Sequence, residues 1–378
     1  MSVPILDLKR SFSEIKPEVS AAVERVFASQ SFILGREVEI FERHCEKYLE
    51  LSEGSCVGCA SGTDALLLAL MASDIKPGDE VITTPSTFFA TAGAIVRLGA
   101  IPVFSDIDPV SYNIDLQQAM SKITPKTKVF LPVHIFGQMC QLETVKDELH
   151  KRGIKLIEDS AQAFGATRSV GDEILRAGTV GDIGCYSFFP TKNLGGCGDG
   201  GMVVSSDKDT AARLRRLRVH GAGVKYYHDE IGINSRLDAI QAAILDIKLR
   251  HLDEWNEERR RLADYYKLLF KSEGLHEFIT VPEETPGNVH IWHQYSVRVK
   301  GRRDELMAYL EEKGIPVRVY YPLPLHLQPC FKYLGYKIGD FPESEKLSLE
   351  TIAMPMYPGL KQEEQEEVVS RIKEFFTK

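Results

Sequence analysis

The sequence predicts an α/β protein with a large domain on a mainly parallel sheet and a smaller α+β domain after it. Three observations carry this. The first two thirds of the chain alternate short apolar runs with helical patterns, as strands covered on both faces do. After residue 234 a helical period sets in and becomes increasingly charged, which suits a connector between domains. Beyond it come a strand pattern, a helix, a second strand and a terminal helix. At roughly 150 residues per domain, a chain of 378 residues accommodates this division. The expected domains are 1–250 and 251–378.

A short apolar run up to Cys59 reads as the first strand, and 65–72 as the helix after it. Residues 80–84 (EVITT) form a strand that Pro85 stops, followed by a helical stretch through Ala100. Strands are expected at 101–106, 128–135 and 154–158, with a helix over 142–152 between the last two. Further short strands are expected at 186–189 and 202–205. Asn234 or Ser235 could cap the long helix, in which Leu237, Ile240, Ile244, Ile247 and His251 recur near helical spacing. In the C-terminal part, 292–300 and 316–320 read as strands, and 303–313 and 362–376 as helices.

Composition narrows the function classes. Hydrophobic residues make up 43% and charged residues 26%, values of a globular chain. The net charge of −8 argues against a nucleic-acid partner, which requires a basic surface. It leaves anionic small ligands open, because a local site can be positive on an acidic protein. No apolar run approaches the roughly 18 residues that span a bilayer, so no membrane partner is expected. The first residues are too polar for a secretory signal. The seven cysteines then fit reduced thiols, and a cytoplasmic location is expected.

Ligands of open α/β sheets bind beyond the carboxyl ends of the strands, and three segments place polar residues there. In 59–64 (CASGTD), Gly62 permits close backbone approach, and Ser61 and Thr63 bring hydroxyls to a helix start. That can be a phosphate cradle or an ordinary cap. Glu158 and Asp159 close a strand, as a site carboxylate or as a cap of the next helix. Lys192 lies among aromatic and glycine residues (187–196, SFFPTKNLGG), where burial would lower its pKa and make it a Schiff-base nucleophile. Two pattern matches carry less. The G-x-G-x-x-G of 196–201 precedes a strand instead of opening a helix. The C-x-x-C of 56–59 has no second pair, so buried thiols are the simpler reading. His134, His220, His293 and His326 lack metal-ligand spacing, and no metal is expected. The run 213–218 (RLRRLR) is most simply a solvated helix face.

Taken together, SGTDAL (61–66), TFFAT (87–91), EDSAQAFGA (158–166), GDIGCYSFFPTKNLGGCGDGGMVV (181–204), the HG at 220–221 and GINSRLDAIQAAIL (232–245) resemble the sugar aminotransferases of the DegT/DnrJ/EryC1/StrS type. The resemblance covers nearly the whole chain. It implies the aspartate-aminotransferase-like fold (fold type I), with a seven-stranded sheet, and pyridoxal 5′-phosphate as cofactor. It makes Lys192 the Schiff-base lysine and proton carrier, and pairs Asp159 with the cofactor's pyridinium nitrogen. Gln162 matches a position near the ring and its 3-hydroxyl, and Phe88 an aromatic stacked on the ring. Gly62, Thr63 and Ser187 match the phosphate cradle. Asn234 matches a residue donated by a second subunit, implying a homodimer with shared active sites.

The same resemblance implies L-glutamate as amino donor and a nucleotide-linked ketosugar as acceptor, with Arg236 a candidate contact to the latter. The order Asn234-Ser235-Arg236-Leu237-Asp238 is more like the members that aminate carbon 3 than those acting at carbon 4. The segment 319–329 (VYYPLPLHLQP) resembles their sugar-proximal segment, so Tyr320, Tyr321 and His326 are substrate candidates. Tyr320 stands where histidine is common. The implied product is an amino sugar for a surface polysaccharide, lipopolysaccharide or other glycoconjugate. Related sugar dehydratases carry histidine in place of the lysine, which Lys192 argues against. A non-catalytic regulator is the third reading.

Overall fold

The computed structural model describes residues 2–377. Two helices open the chain, α1 (Leu8–Ser29) and α2 (Arg36–Tyr48). Strand β1 (Cys56–Cys59) leads to α3 (Gly62–Ala72), β2 (Glu80–Thr83) to α4 (Phe89–Arg97), and β3 (Ile101–Phe104) to α5 (Leu116–Ser121). Then come β4 (Thr127–Phe130), α6 (Lys146–Lys151), β5 (Lys155–Asp159), the hairpin β6 (Thr167–Val170) and β7 (Glu173–Arg176), β8 (Ile183–Ser187) and β9 (Gly201–Val204). Helix α7 (Lys208–Leu217) precedes a small hairpin, β10 (Ala222–Val224) and β11 (Tyr227–His228), and the long helix α8 (Ala239–Ser272). The remainder holds β12 (Ile279–Thr280), β13 (Asn288–Val289), β14 (Tyr295–Val299), α9 (Arg303–Glu312), α10 (Pro342–Glu350), β15 (Thr351–Met354) and α11 (Gln362–Thr377).

The main sheet has seven strands in the order β1-β9-β8-β5-β4-β2-β3. Strand β9 alone runs against its neighbours β8 and β1, and the other pairings are parallel. Its strands are short and almost wholly buried, so apolar runs, not alternation, marked them. Helix α3 is apolar nearly all round because it lies inside, packed on β8 and β9 and against α4 and α7. A second sheet of three strands, β12-β14-β15, is backed by α9 and α11.

Helix α8 spans about 50 Å at 1.5 Å per residue and passes residue 250 without a break. Ala243 and Ile247 in its first half pack on Ile15, Val19 and Val26 of α1. Leu262, Tyr266 and Phe270 in its second half join Val297, Leu306, Val368 and Ile372 around the small sheet, and Val3 from the start of the chain completes that core.

Several expectations need correction. Neither Asn234 nor Ser235 caps α8, which begins at Ala239 after Asp238. Residues 234–238 run extended instead, with bridges from Asn234 to Val219 and from Asp238 to Ile33. The Ser235 hydroxyl serves another helix: it accepts the Ala60 N–H at 3.1 Å and donates to Asp64 at 2.8 Å. Residues 316–320 make no strand, only a bridge from Arg318 to Ala353. On the side away from β12, β14 pairs with β15, which follows α10 with no turn residue to announce it. Strand β4 ends at Phe130, two residues before Pro132, and the helix expected over 142–152 divides into a 3-10 turn at Leu142–Thr144 and α6. The two opening helices carry no expectation from the strand alternation.

A buried ion pair ties these layers together. Glu42 of α2 accepts from the Gly58 N–H of β1 at 2.7 Å and from Arg218, just after α7, at 2.6 Å, while Arg218 also donates to the Gly58 carbonyl at 2.8 Å. Arg218→Ala would strand the Glu42 carboxylate in the interior. It is expected to cost about 3–5 kcal/mol, read as a lower urea midpoint of unfolding, whereas the exposed pair Arg302–Glu305 should cost under about 1 kcal/mol when broken.

Candidate active site

The site begins with the register of β5 and β8. They run parallel with Asp159 opposite Cys185, so the chain leaving β8 emerges beside the last residue of β5. Side chains alternate along a strand, and this separates the two acids. Glu158 turns to the interior, where it meets His134 at 2.8 Å and accepts the N–H groups of Gly178 and Gly181 at 2.8 and 2.6 Å. Asp159 turns to a cavity of about 550 Å³ at the carboxyl ends of the strands. Lys192, in the turn between β8 and β9, lines the same cavity.

Asp159 is buried and Lys192 half-buried, so both are largely withdrawn from water. Burial lowers the Lys192 pKa from 10.5 to about 8, and only the nearby Asp159 charge opposes this. Burial raises the Asp159 pKa, against the pull of hydrogen bonds from the Thr91 hydroxyl at 2.8 Å and the Ala161 N–H at 3.2 Å. The result is an amine that is substantially neutral near pH 8, facing a carboxylate.

The walls follow from local structure. Ser61 caps α3 by accepting the Asp64 N–H at 3.1 Å, which leaves the remaining first-turn N–H groups at Gly62 and Thr63 without helical partners. The helix start lies tight against β8 and β9. A Cβ on Gly62 would stand 2.6 Å from that of Ser187, and one on Gly201 2.4 Å from the Ser61 backbone. Gly62, Thr63 and Ser187 thus form one rim, as an anion cradle at a helix start does. On the other side Phe88, at the cap of α4, is 55% exposed, a large aromatic face left without full cover. Its ring lies 5.9 Å from Tyr321. Gln162 accepts the Phe136 N–H at 2.7 Å and donates to the Tyr321 hydroxyl at 3.2 Å, which fixes the orientation of its amide. Tyr320 also lines the cavity.

The remaining sequence candidates lie elsewhere in this chain. Asn234 is exposed and Arg236 half-buried, and neither lines the cavity. His326 is buried away from it, with Nε2 3.1 Å from Glu345 and its ring edge-on to Phe341. Cys56 and Cys59 are buried on β1 at positions that alternate to opposite faces. A second large cavity, of about 600 Å³, lies between 108–120, 139–145 and 283–286; Asp108, Asp115, Glu283 and Glu284 line it, and among the described residues no lysine, arginine or histidine does.

Two sets of cavity residues were given no role from the sequence, although Thr87 and Thr91 delimit the TFFAT motif. Thr87 and Thr91 line the floor beside Asp159. His293 lines the wall, its Nδ1 3.0 Å from the Asn193 side-chain oxygen. The Asn193 amide nitrogen donates to the Ile291 carbonyl at 3.0 Å and to Asn256 at 2.7 Å, so its oxygen must accept and His293 must carry its proton on Nδ1. This network anchors the residue next to Lys192.

The donor set fits a flat, phosphorylated pyridine aldehyde. There is a neutral-capable amine for the aldehyde, a carboxylate for the ring nitrogen, an aromatic face for the ring, and helix N–H groups with hydroxyls for the phosphate. In the apoprotein, Lys192 is expected to react with an amine-directed reagent along a pH curve centred near 8, a component absent from Lys192→Ala; a midpoint at the ordinary 10.5 would contradict the buried-amine geometry. Gly62→Ala is expected to keep the circular-dichroism spectrum and to weaken pyridoxal phosphate binding by about tenfold or more, because the cradle cannot close around a methyl group.

The comparisons with known proteins agree with this geometry. The model of the DegT/DnrJ/EryC1/StrS aminotransferase family matches residues 13–373. A pleiotropic regulatory protein of Geobacillus stearothermophilus is 48% identical over 379 residues, covering 100% of this chain and 99% of its own. UDP-N-acetyl-3-dehydro-alpha-D-glucosamine 3-aminotransferase of Acidithiobacillus ferrooxidans is 39% identical over 363 residues, 96% of this chain and 95% of that one. Among solved structures, S. venezuelae DesV in complex with a ketimine intermediate superposes with a TM-score of 0.94 at 37% identity, covering 100% of this chain and 99% of its own. The chain belongs to the DegT/DnrJ/EryC1/StrS aminotransferase family, and its cofactor is pyridoxal 5′-phosphate.

Proposed function

We propose that the protein moves the amino group of L-glutamate to carbon 3 of a nucleotide-linked ketosugar, in two half-reactions at one site. The observation that carries this is Lys192 and Asp159 facing one cavity between a phosphate cradle and an open aromatic face. The Acidithiobacillus relative is named for a 3-dehydro sugar and a 3-amino transfer, and the order of residues 234–238 agrees with that position.

When bound, pyridoxal phosphate supplies an aldehyde that exchanges amines and a ring that takes up the electron pair left when a C–H bond breaks. The chain's own groups do the rest. Lys192 Nζ, its pKa lowered by burial, would hold the group's aldehyde, and as a free amine would accept a proton at the reacting carbon and give it back, in both half-reactions. Asp159 would keep the ring nitrogen protonated. Ser187, Thr63 and the start of α3 would hold the phosphate, while Phe88 would cover the ring and exclude water. Gln162, locked by Phe136 and Tyr321, would orient the ring.

A homodimer with shared sites completes the reading. Among the described residues Lys192 is the only lysine or arginine that lines the cavity, and the cofactor would engage it, so a sugar-linked diphosphate needs cations from elsewhere. Asn234 and Arg236 lie outside their own chain's cavity, where a second copy can use them. Tyr320, Tyr321 and His326 belong to the sugar side, His326 by supporting the segment from beneath. We place the enzyme in the cytoplasm, making an amino sugar for a surface polysaccharide, lipopolysaccharide or other glycoconjugate.

The name of the Geobacillus relative favours one second reading, a regulator that binds the cofactor without turnover. Glutamate separates the two. An aminotransferase is expected to release 2-oxoglutarate, one per site, as the visible band of the bound aldehyde gives way to the near-ultraviolet band of the amine form; Lys192→Ala should do neither. A wild-type spectrum indifferent to glutamate would establish the regulator. Asp159→Asn is expected to lower kcat by about 10²–10³-fold, the scale of losing one preorganised charge partner. Offered a panel of sugar nucleotides, the amine form should be consumed by 3-keto and not by 4-keto compounds; the reverse would overturn the carbon-3 assignment.

A further inference from the structure

The TFFAT segment brings more to the site than the ring of Phe88. Phe88 caps α4 and points outward, while Thr91, in the first turn of that helix, is fully buried and points inward. Its hydroxyl donates to Asp159 Oδ2 at 2.8 Å. That hydroxyl has one proton, so the second contact, between the Thr87 and Thr91 oxygens at 3.0 Å, must have Thr87 as donor. The result is a directed chain, Thr87 to Thr91 to Asp159, in a region where all three residues are buried. The other carboxylate oxygen is held by the Ala161 N–H at 3.2 Å. Each oxygen therefore has one fixed donor, and the carboxylate has no freedom to rotate away from the cavity.

We propose that Thr91, backed by Thr87, is a positioning residue that keeps Asp159 ionised and aimed at the cofactor's ring nitrogen. The proposal rests on the reading of this cavity as the pyridoxal phosphate site. Burial by itself favours the neutral acid, which could not hold a proton on the ring. A hydroxyl donating to the carboxylate favours the charged form, and a donor already polarised by a second hydroxyl does so more strongly. A serine at position 91 preserves the chain of donors; a valine, nearly the same shape, ends it.

The test is equilibrium binding of pyridoxal phosphate to the apoprotein across pH, with no turnover involved. The titratable groups that face Asp159 are Lys192 from the β8–β9 turn, Tyr321, Cys185 of β8 and His134 behind the sheet. None of them changes in the variants. Thr91→Val is expected to weaken binding about tenfold at neutral pH, the scale of one hydrogen bond to a charged group. It should also move the acid limb of binding up by about one pH unit, because a carboxylate without its donor takes a proton sooner as the pH falls. Thr91→Ser should bind like wild type, and Thr87→Val should shift the acid limb in the same direction by less. A Thr91→Val protein with wild-type affinity and acid limb overturns the proposal. So does a Thr91→Ser protein as impaired as Thr91→Val, which would make the residue a packing element. If Thr91→Val does not fold, Thr87→Val decides alone: an upward shift supports the chain of hydroxyls, and no shift overturns it. A wild-type protein that binds no pyridoxal phosphate would instead remove the functional reading of the cavity.

Discussion

Everything at the active site depends on the register of two neighbouring parallel strands, β5 and β8. Because β5 and β8 pair with Asp159 opposite Cys185, the residue that ends one strand and the turn that leaves the other share a space. An acid and an amine brought together there are both withdrawn from water, and each limits the cost of burying the other. The amine is thereby poised to exchange protons near neutral pH. A one-residue slip of β5 would replace Asp159 with Glu158, whose partners His134, Gly178 and Gly181 lie on the opposite face.

The surrounding layers protect that register. Helix α3 must approach β8 and β9 closely enough for its first turn to face the cavity, and small residues at Gly62 and Gly201 make the approach possible. Ser235 pins the same helix start from outside through Ala60 and Asp64. Asn193, wedged among Ile291, Asn256 and His293, anchors the Lys192 turn to α8 and to the segment before β14. The Lys192 turn is thus held by elements from both halves of the chain. Helix α8 and the opening residues, which reach both cores, connect them.

The residues that carried a signal in the sequence were those whose type contradicted their surroundings. A lysine among aromatic and glycine residues, and an acid ending an apolar strand, are costly unless they do something. Gly62 was legible from its place at a helix start as a cradle or a cap, and Ser187 only through the pattern of the whole motif. Thr87, Thr91 and His293 gave no such contradiction. A threonine inside an apolar helix start is ordinary packing until its partner is known, and Asp159 lies 68 residues from Thr91. The misplaced cap of α8 has a related cause: Asn234 and Ser235 are good caps by type, but Ser235 is spent on α3, and its own stretch is drawn into bridges with Val219 and Ile33.

By itself the sequence determined the class of fold, the order of its main strands and helices, and the lysine and carboxylate that the fold brings to one cavity. These are local properties: apolar runs of strand length, helical periods, and charged residues in uncharged settings. The tertiary structure alone decided that Glu158 turns to His134 on the opposite face, how closely α3 approaches β8 and β9, and which hydroxyls hold Asp159. It also decided that 351–354 and not 316–320 pairs with β14, and that Val3 belongs to the core around Leu262 and Val368. Those outcomes depend on contacts between residues far apart in the chain, where register and burial, not residue type, select the partner.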